Sequence, residues 1–381
     1  MARVAVFSLT YPPFVGGAEV AIAEIAKRLS AHEFTVITAR LRRDLLARET
    51  ISGVTVVRVG NGSRWDKYRY PWLAVRAAAA EHQRQRFDLI WGMMASWGGL
   101  AALRFKERHP NVPYVLTEQS GDSDQFIKRR TWFWRHRYAQ IYTRADRVTA
   151  ISQFLVQRAR SFGAKNVELV PNGADVQHFG QSISPQRVAQ EREQLGINSG
   201  EQVIVSLSRL VEKNGLDILI QAAARLVYTE VKLKIIIVGS GPFLSRLQRL
   251  ARQVGVAEQV VFKPYQPHPM LPYVLAAADV FVRPSRSEGF GNAFIESMAA
   301  GVPVIGTSAG GIVDFLNDGE NGLLVPPDNA EQLAGAIQRL LSDAGLRDKL
   351  VRNGKITAQR YDWGIIARHL DTVFTQVTSK R

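Results

Sequence analysis

An α/β chain of two doubly wound, parallel-sheet domains is predicted by three features of these 381 residues. Short apolar runs alternate with stretches of helical periodicity, and the alternation starts afresh midway. Glycine-rich loops follow several of the predicted strands. A polar, Gln-rich stretch over residues 180–200 separates two halves of a chain longer than one hydrophobic core usually supports.

The first half opens on a near-continuous apolar run at residues 3–9, read as a buried strand. A loop with Pro12, Pro13, Gly16 and Gly17 follows, then helical spacing over 18–30 aligns Val20, Ile22, Ile25, Ala26 and Leu29. This is the opening of a βαβ unit. Further strands are predicted at 34–39, 54–59, 87–92, 113–117, 146–152 and 167–171, with a helix at 71–86. The second half begins with a strand at 202–208 and a helix at 215–227. Strands at 232–238, 260–262, 279–283, 302–306 and 322–325 complete it, and the tail 362–378 reads as helix. The expected domains are residues 1–178 and 179–361, with a C-terminal helix 362–381 packing back on the first. In such sheets ligands sit at the carboxyl ends of the strands, so functional residues are expected in the loops after strands.

Composition narrows the function classes. Hydrophobic residues make up 46% and charged residues 22%, as in ordinary globular proteins. No apolar run reaches the roughly 18 residues of a spanning helix, and the N-terminus reads as a strand rather than a secretory signal. Cysteine is absent, which excludes disulfides, thiolate metal sites and cysteine nucleophiles and fits a reducing compartment. The formal charge is +15 and uneven. Residues 1–180 hold 27 Lys/Arg against 15 Asp/Glu, and residues 181–381 hold 22 against 19. A field of that sign on one half suits a polyanionic partner, anionic lipid or nucleic acid.

The densest chemistry lies between Arg283 and Gly301. A strand ends at Arg283, a loop with Gly289 and Gly291 follows, and a helix is expected over 293–300. Glycines allow close backbone approach, and a helix N-terminus offers N–H groups and a positive dipole end, as a phosphate needs. Glu288 and Glu296 are eight residues apart. On one helix they would point about 80° apart, but the glycines place Glu288 in the loop and Glu296 inside the helix. Carboxylates there suit the vicinal hydroxyls of a ribose or hexose. A second cluster, Ser208-Arg209 to Lys213-Asn214-Gly215, ends the first strand of the second half.

The 283–301 segment resembles the Glu-x7-Glu signature of retaining glycosyltransferases of family 4. Residues 170–175, VPNGAD, are similar to that family's interdomain element, and residues 145–152 resemble the stretch before it. Residues 301–306 with Gly310-Gly311, and 321–326, resemble the closing segments of the donor domain. Residues 12–19 resemble its N-terminal glycine loop. The resemblance spans nearly the whole chain. It implies the GT-B fold, two Rossmann-like doubly wound domains facing across a cleft. It further implies transfer of a hexose-type sugar from a nucleoside-diphosphate sugar, UDP- or GDP-linked, to an acceptor hydroxyl with retention of anomeric configuration.

The resemblance also implies roles. Glu296 would hold the donor ribose and Glu288 the transferred sugar. The backbone of Gly289, Phe290, Gly291 and Asn292 would lie near sugar and diphosphate, with Gly16 and Gly17 approaching the diphosphate from the other domain. Pro264 and Tyr265 would meet the base, and Arg209 and Lys213 the leaving diphosphate. Two departures stand out. Lys213 sits one position early relative to a common family pattern, with Asn214 in the usual lysine place. Gln119 takes the place of a histidine that many relatives carry, and glutamine cannot act as a base. A front-face displacement, in which the leaving phosphate oxygen takes the acceptor proton, tolerates that loss. Glu118, Gln119 and Asp122 are the candidate acceptor contacts. Asp122-Ser123-Asp124 has the D-x-D spacing of a metal site but reads as loop capping, so no metal or other cofactor is expected.

Residues 126–144 carry six Lys/Arg and no acid, with aromatics interleaved. Lys128, Arg129, Arg130, Trp132, Trp134, Arg135 and Arg137 suit an anionic membrane surface, with aromatics at headgroup level. A second basic-aromatic cluster at 64–72 favours the membrane over nucleic acid. The expected protein is therefore cytoplasmic and peripheral at the inner face of the cytoplasmic membrane, acting on a lipid-linked or cell-surface glycan. Two rivals remain: a sugar-nucleotide epimerase of the same fold, and a nucleic-acid-binding protein. The second leaves Glu288, Glu296 and Arg209 unexplained.

Overall fold

The computed structural model describes residues 1–227 and 232–379. It divides into two compact units, residues 1–172 with the C-terminal segment from Trp363, and Gly173–Asp362. The first boundary thus falls after Asn172 rather than after residue 178. The reason is the short helix Val176–Phe179, whose Val176 and Phe179 bury themselves in the second unit, against helix Asn292–Ala299. Lys380 and Arg381, part of the predicted tail helix, lie outside the described residues.

In the N-terminal unit the sheet contains β1 (Arg3–Phe7), β2 (Glu33–Ala39), β3 (Arg48–Ile51), β4 (Val54–Val59), β5 (Leu89–Met93), β6 (Tyr114–Glu118), β7 (Arg147–Ala150) and β8 (Val167–Leu169). Their order is β3-β4-β2-β1-β5-β6-β7-β8, and every pairing is parallel except β3 with β4. Strands buried on both faces read as unbroken apolar runs, and β1 shows why. Ala5 and Phe7 join the core under helices Asp66–Arg84, Trp97–Arg108 and Arg135–Thr143. Val4 and Val6 join the opposite core, under helices Gly17–Arg28 and Trp363–Thr378.

That last helix is an integral layer. Trp363, Ile366, Leu370, Val373 and Phe374 are buried with Ile22, Ile25 and Trp91. Burying side chains of this size stabilises by about 1.5–3 kcal/mol each. His32 Nε2 meets Asp371 at 2.6 Å, and His369 Nε2 meets Glu168 at 2.8 Å.

In the C-terminal unit the sheet contains β9 (Gln202–Leu207), β10 (Leu233–Val238), β11 (Val260–Lys263), β12 (Val280–Val282), β13 (Val304–Thr307) and β14 (Leu323–Val325). The order is β11-β10-β9-β12-β13-β14, parallel throughout. Strand order reverses between β1 and β5 in one unit and between β9 and β12 in the other. Crevices at such switch points are where doubly wound sheets bind ligands.

Each strand expected from the sequence is present, most with shorter ends. Several helices lie outside the predicted set, and the helix expected at 71–86 begins earlier. Strand β3 (sequence RETI) is a polar edge strand with alternate residues exposed. Helix Pro185–Leu195 lies within the stretch read as polar linker, although Ser184 caps it, Pro185 starts it and Gly196 ends it at φ 75°. Helix Asp66–Arg84 starts ahead of Pro71 because the buried Asp66 carboxylate accepts the N–H groups of Asn61, Gly62 and Ser63 at 2.8–2.9 Å.

Candidate active site

The two loops at the β9/β12 switch point lock together. After β9, the N–H of Leu210 bonds Ser240 O at 2.9 Å, and the Arg209 carbonyl accepts the buried Asn214 side chain at 2.7 Å. After β12, the Arg286 N–H reaches back to Lys213 O at 2.7 Å. The Arg286 guanidinium grips Asp217 at 2.9 and 2.7 Å, Glu212 O at 2.6 Å and Asp328 at 2.6 Å. Its pKa rises above the ordinary value, chiefly through the Asp217 hydrogen bonds. Arg286 is therefore a fixed strut joining the two loops.

Glu288 lies in the second loop and Glu296 inside helix Asn292–Ala299. Glu288 pairs with Arg283 at 2.5 Å, and both side chains are half-buried. The Glu288 carbonyl accepts the Gly311 N–H at 3.0 Å. Gly310 has φ +57°, and a Cβ there would collide with that same carbonyl oxygen, so the Gly310-Gly311 pair is what lets the backbone of Glu288 seat. Gly291, at φ +105°, turns the chain into the helix, and a Cβ there would sit 2.8 Å from the Phe294 ring. It supplies no side-chain cap, and the Phe294 N–H turns back to its carbonyl at 2.9 Å. Phe290 points away into the core against Phe315 and Tyr361, leaving only its backbone to the loop surface.

Glu296 is 7% exposed. Its Oε1 lies 3.0 Å from His268 Nε2. Tyr265 is exposed, after β11, and its hydroxyl pKa is raised by partial burial and then by the charge of Glu296, which places the two within electrostatic reach. Pro264 beside it is exposed too. Arg209 is exposed, with no side-chain ion pair or hydrogen bond among the described residues. Lys213 is half-buried. Thus Arg209, Lys213, Glu288, Gly289, Phe290, Gly291, Asn292 and Glu296 belong to the switch-point loops of one sheet or the helix after them, with Pro264 and Tyr265 after the edge strand β11, two strands from β9. Sequence reasoning left out Arg283, Asn214 and His268. Asn214 is buried, bonding the Arg209 carbonyl and lying 3.5 Å from Arg283 Nη2.

The N-terminal unit corrects one assignment outright. Glu118 is 0% exposed. Its carboxylate accepts Ala95 N at 3.0 Å, Ser120 N at 2.9 Å and the Tyr142 hydroxyl at 2.8 Å. It is a structural tie between the loops after β5 and β6, with no face left for an acceptor. Gln119 is half-buried, and its Oε1 accepts Asn172 Nδ2 at 3.2 Å. The Asp122 carbonyl accepts Arg158 Nη2 at 2.5 Å, Asp124 pairs with Arg158 Nε at 2.7 Å, and Ser123 caps helix Asp124–Thr131. The D-x-D run therefore builds the loop. Gly16 is the extended N-cap of helix Gly17–Arg28, and Gly17 lies beside Asn172. Gly16 thus ends the loop after β1 and Gly17 opens the helix, at the switch point of that sheet.

Two doubly wound units of this kind define the class. Over its whole length the chain superimposes on sucrose-phosphate synthase from Thermosynechococcus elongatus, at 23% identity and a TM-score of 0.87 with both chains fully covered. Anabaena HepE in complex with UDP and glucose aligns at 22% identity and a TM-score of 0.82, covering 99% and 100% of the two chains. The fold is GT-B.

Family models give the finer assignment. Residues 15–178 match Glycosyltransferase Family 4, and residues 188–357 match Glycosyl transferases group 1. The D-inositol 3-phosphate glycosyltransferase of Acidothermus cellulolyticus is 31% identical over 96% of this chain and 87% of its own. The GDP-mannose-dependent alpha-(1-6)-phosphatidylinositol monomannoside mannosyltransferase of Mycobacterium tuberculosis is 30% identical over 97% of each. The chain belongs to the family 4 glycosyltransferases.

Proposed function

We propose that this glycosyltransferase moves a hexose-type sugar from a UDP- or GDP-linked donor to an acceptor hydroxyl on a lipid-linked or cell-surface glycan, with retention and without a metal. The observation that carries the donor site is the division of labour on Glu296. One oxygen is held by His268, and the other has no hydrogen bond from the described protein and is free to accept from a ribose. Beside it lie the uncapped helix start for the diphosphate, Glu288 for the sugar, and Arg209 and Lys213 for the charge that develops on the leaving group. Relatives support the donor class. The mycobacterial enzyme is named for GDP-mannose, and HepE was solved with UDP and glucose. Gln119, tied to Asn172, offers hydrogen bonds but no base, so the leaving phosphate oxygen takes the acceptor proton.

Thermal shift without metal tests this directly. One of UDP, GDP or ADP at 100 times its dissociation constant should stabilise wild type by roughly 2.7 kcal/mol, and Glu296→Ala should lose most of the shift. No shift with any of them, metal added or not, would sink the donor site as drawn.

The same proposal includes peripheral attachment to the inner face of the cytoplasmic membrane, in the cytoplasm. Trp132 and Phe133 are 76% and 73% exposed, with Lys128, Arg129, Arg130 and Arg135 exposed around them. Two residues leave the expected set. Arg137 is spent on Glu107, at 2.5 and 2.6 Å, and Trp134 packs on Tyr138 with its Nε1 donating to Arg130 O. Among the described residues no helix is long and apolar enough to cross a membrane. Cosedimentation should show binding to vesicles rich in anionic lipid, lost in high salt and weakened several-fold by Trp132→Ala with Phe133→Ala. Equal binding by the double variant would remove this surface from the proposal.

A further inference from the structure

His268 lies in the short 3-10 turn His268–Met270 after β11, away from the Glu-x7-Glu segment in sequence. Its Nε2 is 3.0 Å from Glu296 Oε1. A carboxylate only accepts, so the imidazole donates. The ring is itself held. Phe179 meets it edge-on at 5.0 Å and 82°, and the His178 ring lies nearly parallel at 6.3 Å. Phe179 is fully buried, and its helix, Val176–Phe179, is capped by Asp175, whose Oδ1 accepts His178 N at 3.0 Å. The chain of support therefore runs from the first helix after the chain enters the C-terminal unit, through an aromatic contact, to one oxygen of Glu296.

From this geometry we propose that His268 is a positioning residue for donor recognition: it binds one carboxylate oxygen of Glu296 so that the other faces the ribose hydroxyls of the nucleoside diphosphate. The inference rests on the donor site proposed above. A carboxylate on a rotatable stem must otherwise be ordered when the ligand arrives, and that ordering weakens binding. A hydrogen bond to a charged group, formed before the ligand enters, removes that cost. His268 touches no substrate in this scheme, and its effect passes through Glu296 alone.

The test uses the full chain and three variants: Glu296→Ala, His268→Phe and His268→Gln. Phenylalanine keeps a ring against Phe179 and removes the donor. Glutamine returns an N–H near the Nε2 position. Binding of UDP, GDP and ADP is measured beside their 2′-deoxy and 3′-deoxy counterparts. For the nucleotide that binds wild type, His268→Phe should weaken affinity roughly ten- to a hundredfold. It should also flatten the preference for ribose over the deoxy sugars, as Glu296→Ala does. His268→Gln should restore most of both. With the matching sugar donor, KM should rise in His268→Phe while kcat changes little. A merely structural role would lower the melting midpoint and kcat and leave the ribose preference intact. If Glu296→Ala flattens the preference and His268→Phe does not, the role of His268 is overturned and the donor site stands. If Glu296→Ala leaves the preference intact, or none of the three nucleotides binds wild type, the donor site falls and this inference with it.

Discussion

Arg209→Ala should lower kcat by roughly 10²–10³, the usual cost of removing one group aimed at developing charge, while the melting midpoint stays close to wild type. Both halves follow from the same local structure. The Arg209 side chain is exposed and unpaired among the described residues, so folding does not depend on it. Its backbone does the structural work, since the Arg209 carbonyl receives Asn214 Nδ2. Alanine keeps that carbonyl and deletes only the cation. Lys213 on the same loop is the second cation that the proposed function assigns to the leaving diphosphate. Steady-state kinetics with the donor identified by thermal shift would check this, with donor KM followed separately. A kcat within threefold of wild type would mean that Arg209 does not face the leaving diphosphate.

Glu118→Leu should damage the N-terminal unit severely, costing several kcal/mol. Three donors converge on that carboxylate, and each buried donor left without an acceptor costs about 1–3 kcal/mol. The Tyr142 hydroxyl is among them, and its pKa is raised by burial first and by the Glu118 charge after it. Glu118→Gln keeps an oxygen and the shape but puts an N–H₂ group where a donor was received, so it should fall between wild type and leucine. Urea unfolding would rank the three. Leucine within 1 kcal/mol of wild type would show that the loops after β5 and β6 rearrange without their tie.

Why sequence reasoning took Glu118 for an acceptor contact is instructive. It sits at the carboxyl end of a parallel strand, where functional residues gather, and position along a strand was legible. The direction and burial of a side chain were not, since they depend on Ala95 and Tyr142, distant in sequence. The same limit hid His268 and Arg283, whose meaning comes from pairing with Glu296 and Glu288. Repeating strand–loop–helix periodicity made the two sheets readable, because doubly buried strands are apolar along their length. Strand β3 escaped because an edge strand need not be, and helix Pro185–Leu195 because its few buried residues left capping as its only signal.

The placement of helix Trp363–Thr378 in the N-terminal unit has a consequence for biogenesis. The residues it covers, among them Ile22, Ile25 and Trp91, leave the ribosome early, but their cover is made only after the intervening stretch Gly173–Asp362. At roughly 5–20 residues per second, translation of that stretch takes on the order of 10–40 seconds. During that interval the first sheet is a nascent layer with one apolar face open to chaperones and to other nascent chains. Deleting the last helix would make that interval permanent, so such a truncation should appear in the insoluble fraction rather than as a shortened enzyme.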